Sequence, residues 1–315
     1  MKKHRVVFLH PKRLVNAGSK IMRCDQLCDI ARRYLGDRYD FEVRMQLPVR
    51  DKRAESDMCS LLSDATVIMI KGTAQVIGEE AVSTLRTHVR GLCVDYVDIN
   101  MQENFLRFAD VHIAPSIAGM RILRGQLASR ESAAPGASVA HLTHHADPRL
   151  EGLGPPQSDK LRVVYLGNPK NALIPRAVNS KIEVLSYNRD REIGSVFKQL
   201  QGFNLHYAVR PPDQSSETNL STTKPFTKGI VAAALGANVL ASVDSDDAVH
   251  YLGADYPFLL KSGDEASINN AMEKAVGLFG GPEWKNALQR MEYVRAISSP
   301  ANIAHELNII LERFT

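Results

Sequence analysis

Two hydrophobic patterns alternate along this chain. Short apolar runs of strand length are followed by longer stretches in which apolar residues recur every three or four positions. The first pattern indicates β-strands and the second indicates amphipathic helices. The run ATVIMI (65–70) is apolar throughout, as strands of a parallel sheet covered on both faces tend to be. The alternation predicts an α/β protein with doubly wound parallel sheets.

The pattern can be followed element by element. In the first half, strands are predicted at 5–10, 41–47, 65–70, 92–96, 111–114 and near 139, and helices at 20–34, 79–89, 100–108 and 117–127. In the second half, strands are predicted at 161–166, 182–186, 205–209, 238–241 and 257–260, and helices at 193–200, before Gly236, and at 264–278, 282–295 and 301–314. Gly, Pro, Ser and Asp are frequent from 147 to 159, which predicts a boundary between domains 1–150 and 151–298.

Composition narrows the class of protein. The 315 residues are 44% hydrophobic and 23% charged, as in a globular protein, and no apolar run approaches the ~20 residues that span a bilayer. The first run, Val6–Leu9, is too short for a signal peptide, so we expect a cytoplasmic protein. Residues 1–150 carry 22 Lys and Arg against 17 Asp and Glu. This excess of positive charge favours binding to an anionic lipid, a membrane surface or another polyanion. The alternative is that these charges only form a solvated surface. Nucleic acid is not favoured, because no basic run is interleaved with aromatic residues.

Cysteine and glycine spacing exclude two further classes. Cys24 and Cys28 could lie on one helix face, but no second pair with ligand spacing follows, so we expect reduced thiols and no metal. No predicted strand is followed by G-x-G-x-x-G with a downstream acid, which argues against a dinucleotide dehydrogenase.

The stretch KPFTKGIVAAALGANVLAS (224–242) carries the candidate chemistry. Lys224 and Lys228 lie at the start of a predicted helix, where they oppose the helix dipole unless an anion sits between them. Ser221, Thr222 and Thr223 precede the helix as capping or anion-binding residues. Arg210 follows another predicted strand at the same edge of the sheet. Three cations at this edge predict a site for a diphosphate. The alternative is that they are ordinary surface charges in contact with solvent.

This segment and three others resemble GT-B glycosyltransferases, most closely family 4-like members. KPFTKGIVAAALGANVLAS resembles the family's nucleotide-sugar helix and the strand that follows it. RFADVHIAPS (107–116), VAHLTHHADPRL (139–150) and LRVVYLGNP (161–169) resemble a late strand of the first domain, the crossover and the first strand of the second domain. The resemblance implies two Rossmann-like domains facing a cleft. The first would be on the acceptor side, the second would bind a nucleotide sugar, and a last helix, 299–315, would pack back on the first.

The resemblance also implies roles for individual residues. Catalysis would rest on Arg210, Lys224 and Lys228, which stabilise the leaving diphosphate without a divalent metal, and on Asp98 as the best carboxylate for the acceptor hydroxyl, although capping a helix near Asn100 is its more ordinary role. His144, His145, Asp95 and His112 are other candidates for the base. The donor would contact Gly18, Ser19, Gly167, Asn168, Arg210, Thr223, Lys224, Thr227 and Lys228.

One departure from the family leaves the function open. Family members carry two glutamates around the nucleotide-sugar helix, where this chain has Thr223 and Val231, with Glu217 in another register. The chain instead has His206, Arg210, Lys224 and Lys228 in a pattern of its own. We expect a transferase with a nucleotide-sugar donor, no cofactor, and a glycan, lipid or protein acceptor. The alternatives are a nucleotide-sugar epimerase or hydrolase, and a catalytically silent module with the same fold.

Overall fold

The computed structural model describes residues 3–101, 103–129, 134–155, 158–186, 193–211, 223–245 and 247–315. Two compact units divide the chain. Unit 1 comprises Met1–Thr143, Glu217–Pro225 and Pro300–Thr315, and unit 2 comprises His144–Ser216 and Phe226–Ser299. Each unit is built on its own sheet, and every strand pairing in both sheets is parallel among the described residues.

Unit 1 has a six-stranded sheet with the strand order β2-β1-β3-β4-β5-β6. Its strands are β1 (His4–Pro11), β2 (Tyr39–Gln46), β3 (Thr66–Ile70), β4 (Gly91–Asp95), β5 (Val111–Ala114) and β6 (Ser138–His141). Its helices are α1 (Gly18–Lys20), a π-helical segment (Ile21–Gln26), α2 (Leu27–Leu35), α3 (Lys52–Leu62), α4 (Thr73–Ile77), α5 (Glu79–Arg86), α6 (Ile117–Ala128) and α13 (Pro300–Leu311). The central strands β3, β4 and β5 are buried along their whole length, as the apolar runs predict.

The helix α13 belongs to the core of unit 1. Ile303, Leu307 and Leu311 are buried together with residues of the sheet and of α2, against which α13 packs. Beyond the helix, the Phe314 ring lies so close to Gly91 in β4 that a β-carbon at Gly91 would collide with it. A late segment of the chain therefore completes the first unit.

Unit 2 has a five-stranded sheet with the order β11-β10-β9-β7-β8. Its strands are β7 (Val163–Leu166), β8 (Ile182–Leu185), β9 (Leu205–Tyr207), β10 (Asn238–Ser242) and β11 (Leu259–Leu260). Its helices are α7 (Arg176–Asn179), α8 (Ile193–Leu200), α9 (Thr227–Ala234), α10 (Ala248–Leu252), α11 (Glu265–Leu278) and α12 (Pro282–Ile297). The helix α9 is buried from Gly229 to Ala233 and packs against α12 and β9. Its small side chains allow this close approach to the sheet.

The structure differs from the expected elements at several places. No helix forms over the described part of 100–108. Phe105 and Leu106 are instead buried, and the Leu106 N–H donates to the Tyr96 hydroxyl. A helix that the pattern did not predict, α3, begins after Asp51, whose carboxylate accepts from the Ala54 N–H. The first segment of unit 1 ends at Thr143, and Leu150 is buried among residues of unit 2; the expected domain bounds 1–150 and 151–298 stay a prediction.

Candidate functional site

The carboxyl ends of β7 and β9 form one edge of the unit 2 sheet. Gly167 and Asn168 follow β7, and Arg210 follows β9, which is its neighbour in the sheet. The helix α9 precedes the parallel strand β10 and runs back across the sheet, so its first residues, Thr227 and Lys228, lie at this same edge. Ligands of open α/β sheets bind at this edge, where helix N-termini attract anions.

One cation at this edge contacts an aromatic side chain. The Lys228 ammonium lies 4.8 Å from the centroid of the Tyr165 ring and donates to the Leu166 carbonyl over 3.2 Å. Tyr165 is fully buried. Burial raises the pKa of the Tyr165 hydroxyl, and the positive charge of Arg210 acts in the opposite direction. Arg210 and Lys228, two of the three cations predicted from the sequence, thus come from elements that meet at the same edge of the unit 2 sheet, and a common site for them stays a prediction.

Gly167 leaves open the space beside these groups. Its φ of +138° is one that L side chains rarely adopt. A β-carbon there would lie 3.4 Å from the Tyr165 hydroxyl and 3.5 Å from the Lys228 ammonium nitrogen. Asn168 holds the adjoining turn, since its side chain accepts from the Lys170 N–H and its carbonyl accepts from the Tyr165 hydroxyl over 3.0 Å. The backbone conformation thus favours a glycine, whereas a β-carbon there would make only ordinary van der Waals contacts.

His206 lies in the middle of β9 and is buried. Burial, with a smaller contribution from the positive charge of Lys228, lowers the pKa of His206 from 6.5 to about 4. The imidazole is therefore neutral at physiological pH, and no group in the described residues hydrogen-bonds its Nε2. A neutral histidine leaves the positive charge at this edge to Lys228 and Arg210.

Thr223 and Lys224, which we predicted at the same site, belong to unit 1. The Thr223 carbonyl accepts from the Ser116 hydroxyl over 3.4 Å, and a β-carbon at Gly119 would lie 2.8 Å from Thr223 Oγ1. The Lys224 side chain is exposed. The cation trio is therefore divided between the units, and a common site for all three stays a prediction. Ser221, Thr222 and Glu217 lie outside the described residues.

Gly18 and Ser19 occupy the first turn of a helix rather than a loop. Gly18 is exposed and is the first residue of α1, which continues without a break into the π-helical segment. Nothing lies within 4 Å of a β-carbon placed on Gly18, so close packing does not require a glycine there. Their contact with a donor stays a prediction.

Asp98 lies just beyond β4 in a left-handed backbone conformation, with φ +49°. Its carboxylate pairs with the Lys71 ammonium over 3.3 Å, and its side chain is partly exposed. It does not cap a helix at Asn100, because none begins there; Asn100 itself accepts from the Glu103 N–H in a turn. Asp98 thus lies at the carboxyl edge of the unit 1 sheet as an accessible, ion-paired carboxylate.

Asp95 has a structural role that sequence analysis missed. The Arg23 Nε donates to Asp95 over 2.7 Å, and Arg23 Nη1 donates to the carbonyls of Leu142 and Thr143 over 3.2 Å each. Both charged side chains are almost completely buried. The sequence held one signal of this, since Arg23 lies one helical turn before the buried Leu27.

The histidines proposed as bases are all buried. His112 stacks on Phe105 at 4.3 Å, its Nδ1 is 2.9 Å from the Tyr96 hydroxyl, and burial lowers its pKa to about 4. His144 and His145 are buried in the first residues of unit 2, with ring centroids 5.7 Å apart. No group of three His, Cys, Asp or Glu residues with the geometry of a metal site occurs among the described residues.

Comparison with known protein structures identifies the fold of the chain. No family model and no curated protein matches the chain. A glycosyltransferase structure from Rickettsia africae is similar with a TM-score of 0.66 and 7% identity, over 100% of this chain and 99% of that one. HepE from Anabaena, solved with UDP, is similar with a TM-score of 0.64 and 15% identity, over 98% of this chain and 100% of that one.

A further similar structure is a UDP-forming α,α-trehalose-phosphate synthase from Burkholderia vietnamiensis. It has a TM-score of 0.63 and 9% identity, over 99% of this chain and 100% of that one. At these identities the similarity establishes the fold, which is the GT-B fold of glycosyltransferases. The predicted fold class is confirmed. No helix in the described part of the chain is long and apolar enough to cross a membrane.

Proposed function

We propose that this protein is a glycosyltransferase that moves a sugar from a nucleotide-diphosphate sugar to an acceptor hydroxyl. The observation that carries the proposal is the position of the Lys228 ammonium over Tyr165, at the sheet edge where α9 begins and where Arg210 follows the neighbouring strand β9. The GT-B fold supports it, as do similar proteins solved with UDP and UDP-glucose. No cofactor besides the donor substrate is part of the proposal.

The chemistry follows from where charge develops. As the bond between the anomeric carbon and the phosphate oxygen breaks, its electron pair remains on the leaving nucleoside diphosphate. Preorganised cations that bind this growing charge lower the barrier, and Arg210 and Lys228 supply them without a divalent metal. The acceptor oxygen forms the new bond to the anomeric carbon. We assign its proton to the carboxylate of Asp98.

The remaining predicted residues complete the donor site in this proposal. Gly167 and Asn168 follow β7 and Thr227 begins α9, so they would contact the diphosphate from unit 2. Gly18, Ser19, Thr223 and Lys224 would contact the donor from unit 1.

We propose that the acceptor is a glycan, a lipid or a protein. The corresponding role would be in polysaccharide synthesis for the cell envelope. The basic excess of residues 1–150 favours peripheral contact with an anionic inner membrane face. Co-sedimentation with vesicles of anionic and of neutral lipid tests this contact, which equal binding to both would refute.

A panel of UDP-, GDP-, ADP- and TDP-sugars tests the function. We expect one donor to raise the melting temperature and to be hydrolysed slowly to free sugar in the absence of an acceptor. Interconversion of sugars would identify an epimerase instead. Hydrolysis that stays as fast when acceptors are added would identify a hydrolase. Failure of every donor to bind would leave a silent module with this fold.

The variant Lys228→Ala tests the cation site. We expect it to fold normally and to lose roughly 100- to 1000-fold in turnover, the cost of removing one preorganised group that stabilises transition-state charge. Lys285→Ala is the matched control, because Lys285 is an exposed lysine on α12 of the same unit. Turnover equal to that of this control would refute the assignment of Lys228.

A further inference from the structure

Lys228 has an orientation that its place in the helix does not explain. On the first turn of α9 its positive charge opposes the helix dipole, which favours a side chain extended into water. Its ammonium instead donates to the Leu166 carbonyl and lies 4.8 Å from the Tyr165 ring centroid, within the range of a cation–π interaction. Both contacts attract the cation without cancelling its net charge.

The ring beneath the ammonium is itself held in place. Tyr165 is fully buried in β7, and its hydroxyl donates to the Asn168 carbonyl over 3.0 Å. The Asn168 side chain in turn accepts from the Lys170 N–H, which fixes the short turn after Gly167. A sequence of hydrogen bonds therefore runs from the turn to the ring, and the ring determines where the ammonium rests.

We propose that Tyr165 is a positioning residue. Its ring face holds the Lys228 ammonium in place before any ligand binds. The ammonium then lies where negative charge develops on the leaving diphosphate of a nucleotide sugar. The proposal deepens the function proposed above and rests on it. Gly167 contributes space, since a β-carbon there would lie 3.5 Å from the Lys228 ammonium, where a phosphate oxygen must approach. Holding the cation beforehand avoids the cost of ordering a long, flexible side chain when the donor binds.

Two substitutions separate the ring face from the hydroxyl. Tyr165→Phe keeps the aromatic face and removes the hydrogen bond to Asn168, whereas Tyr165→Leu removes the face and keeps an apolar side chain of moderate size. We expect Leu to weaken UDP binding about tenfold, the range of one cation–π contact, and Phe to change it less than threefold. Calorimetry with UDP and with inorganic pyrophosphate measures both effects, and melting temperatures show whether each variant folds.

A double-mutant cycle distinguishes positioning from a general role in packing. If Tyr165 acts through Lys228, then Tyr165→Leu costs no further UDP affinity in a protein that already carries Lys228→Ala. A purely structural role of Tyr165 would weaken binding equally in both backgrounds, which would overturn the proposal. The proposal would also be overturned if Tyr165→Leu bound UDP as tightly as the wild type.

A measurement without nucleotide tests the contact itself. Isotope-labelled dimethyl groups on Lys228 are expected to resonate upfield in the wild type and in Tyr165→Phe, because of the ring current, and to lose that shift in Tyr165→Leu. An unshifted signal in the wild type would overturn the role of Tyr165 alone. Failure of the wild type to bind UDP, GDP, ADP, TDP and pyrophosphate alike would overturn the proposed function, and with it this role.

Discussion

The cationic side chains at the carboxyl edges of the two sheets have different kinds of interaction partner. In unit 1, carboxylates meet the cations: Asp95 pairs with the buried Arg23, and Asp98 pairs with Lys71. In unit 2, the Lys228 ammonium donates to the Leu166 carbonyl and lies over the Tyr165 ring. The first arrangement neutralises charge and joins segments of the chain, while the second places an ammonium group against a carbonyl and a ring face. The comparison separates cations that stabilise a fold from cations suited to an incoming anion.

Removal of one member of the buried pair should have the largest effect. Asp95→Ala leaves the Arg23 guanidinium buried without its counter-charge, and we expect a loss of roughly 3–5 kcal/mol in the free energy of unfolding. Chemical denaturation measures it. Glu292→Gln, which breaks an exposed pair with Arg295, is the control and should cost at most about 1 kcal/mol. An equal, small loss in both variants would show that the buried pair does not stabilise unit 1.

Acidification should have the next largest effect and should act on both units. His112 and His206 have native pKa values of about 4 because they are buried, against 6.5 for an exposed histidine. Between pH 6.5 and 4 the unfolded chain binds protons that the native chain does not, so stability falls as the pH falls. Each histidine contributes roughly 3 kcal/mol to this loss.

Variants assign this pH dependence to each unit. His206→Gln should reduce the slope of stability against pH for unit 2, and His112→Gln should do so for unit 1. Denaturation followed from pH 7 to pH 4 checks both. A slope that neither substitution changes would show that these imidazoles bind protons equally in the native and the unfolded chain.

Asp98→Asn should have the smallest effect on stability. The pair with Lys71 is partly exposed, so its loss should cost roughly 0–1 kcal/mol. If Asp98 accepts the acceptor's proton, this variant nonetheless loses sugar transfer while donor binding and slow donor hydrolysis persist. The ratio of transfer to hydrolysis checks this. An unchanged ratio would leave Asp98 as a surface ion pair only.

Most of the fold could be predicted because burial in a parallel sheet leaves a local signal. The run 65–70 and the strand ending at Asp95 were recognisable from their apolar residues. Tertiary contacts decided the exceptions. The segment 100–108 has helical spacing, yet burial of Phe105 and Leu106 against Tyr96 competes with a helix. The helix α3 has few apolar residues and was missed, although Asp51 caps it.

The candidate site was less predictable because its geometry joins residues far apart in the sequence. The pattern of cations identified Arg210 and Lys228, which reflects a local rule about helix starts and strand ends. Tyr165 was assigned only to a strand, since nothing in the sequence indicates that a lysine beyond position 220 rests on its ring. Arg23 was likewise missed, because its counter-ion Asp95 lies in another element.

The return of α13 to unit 1 has a consequence for how the protein is made. On the ribosome, residues 144–216 and 226–299 emerge before the helix that supplies Ile303, Leu307 and Leu311 to the earlier unit. The second sheet can therefore mature while the first still exposes an apolar groove along α2. A substitution at Phe314 would also affect β4, which is translated long before it, so unit 1 becomes complete only after the residues of unit 2 have been synthesised.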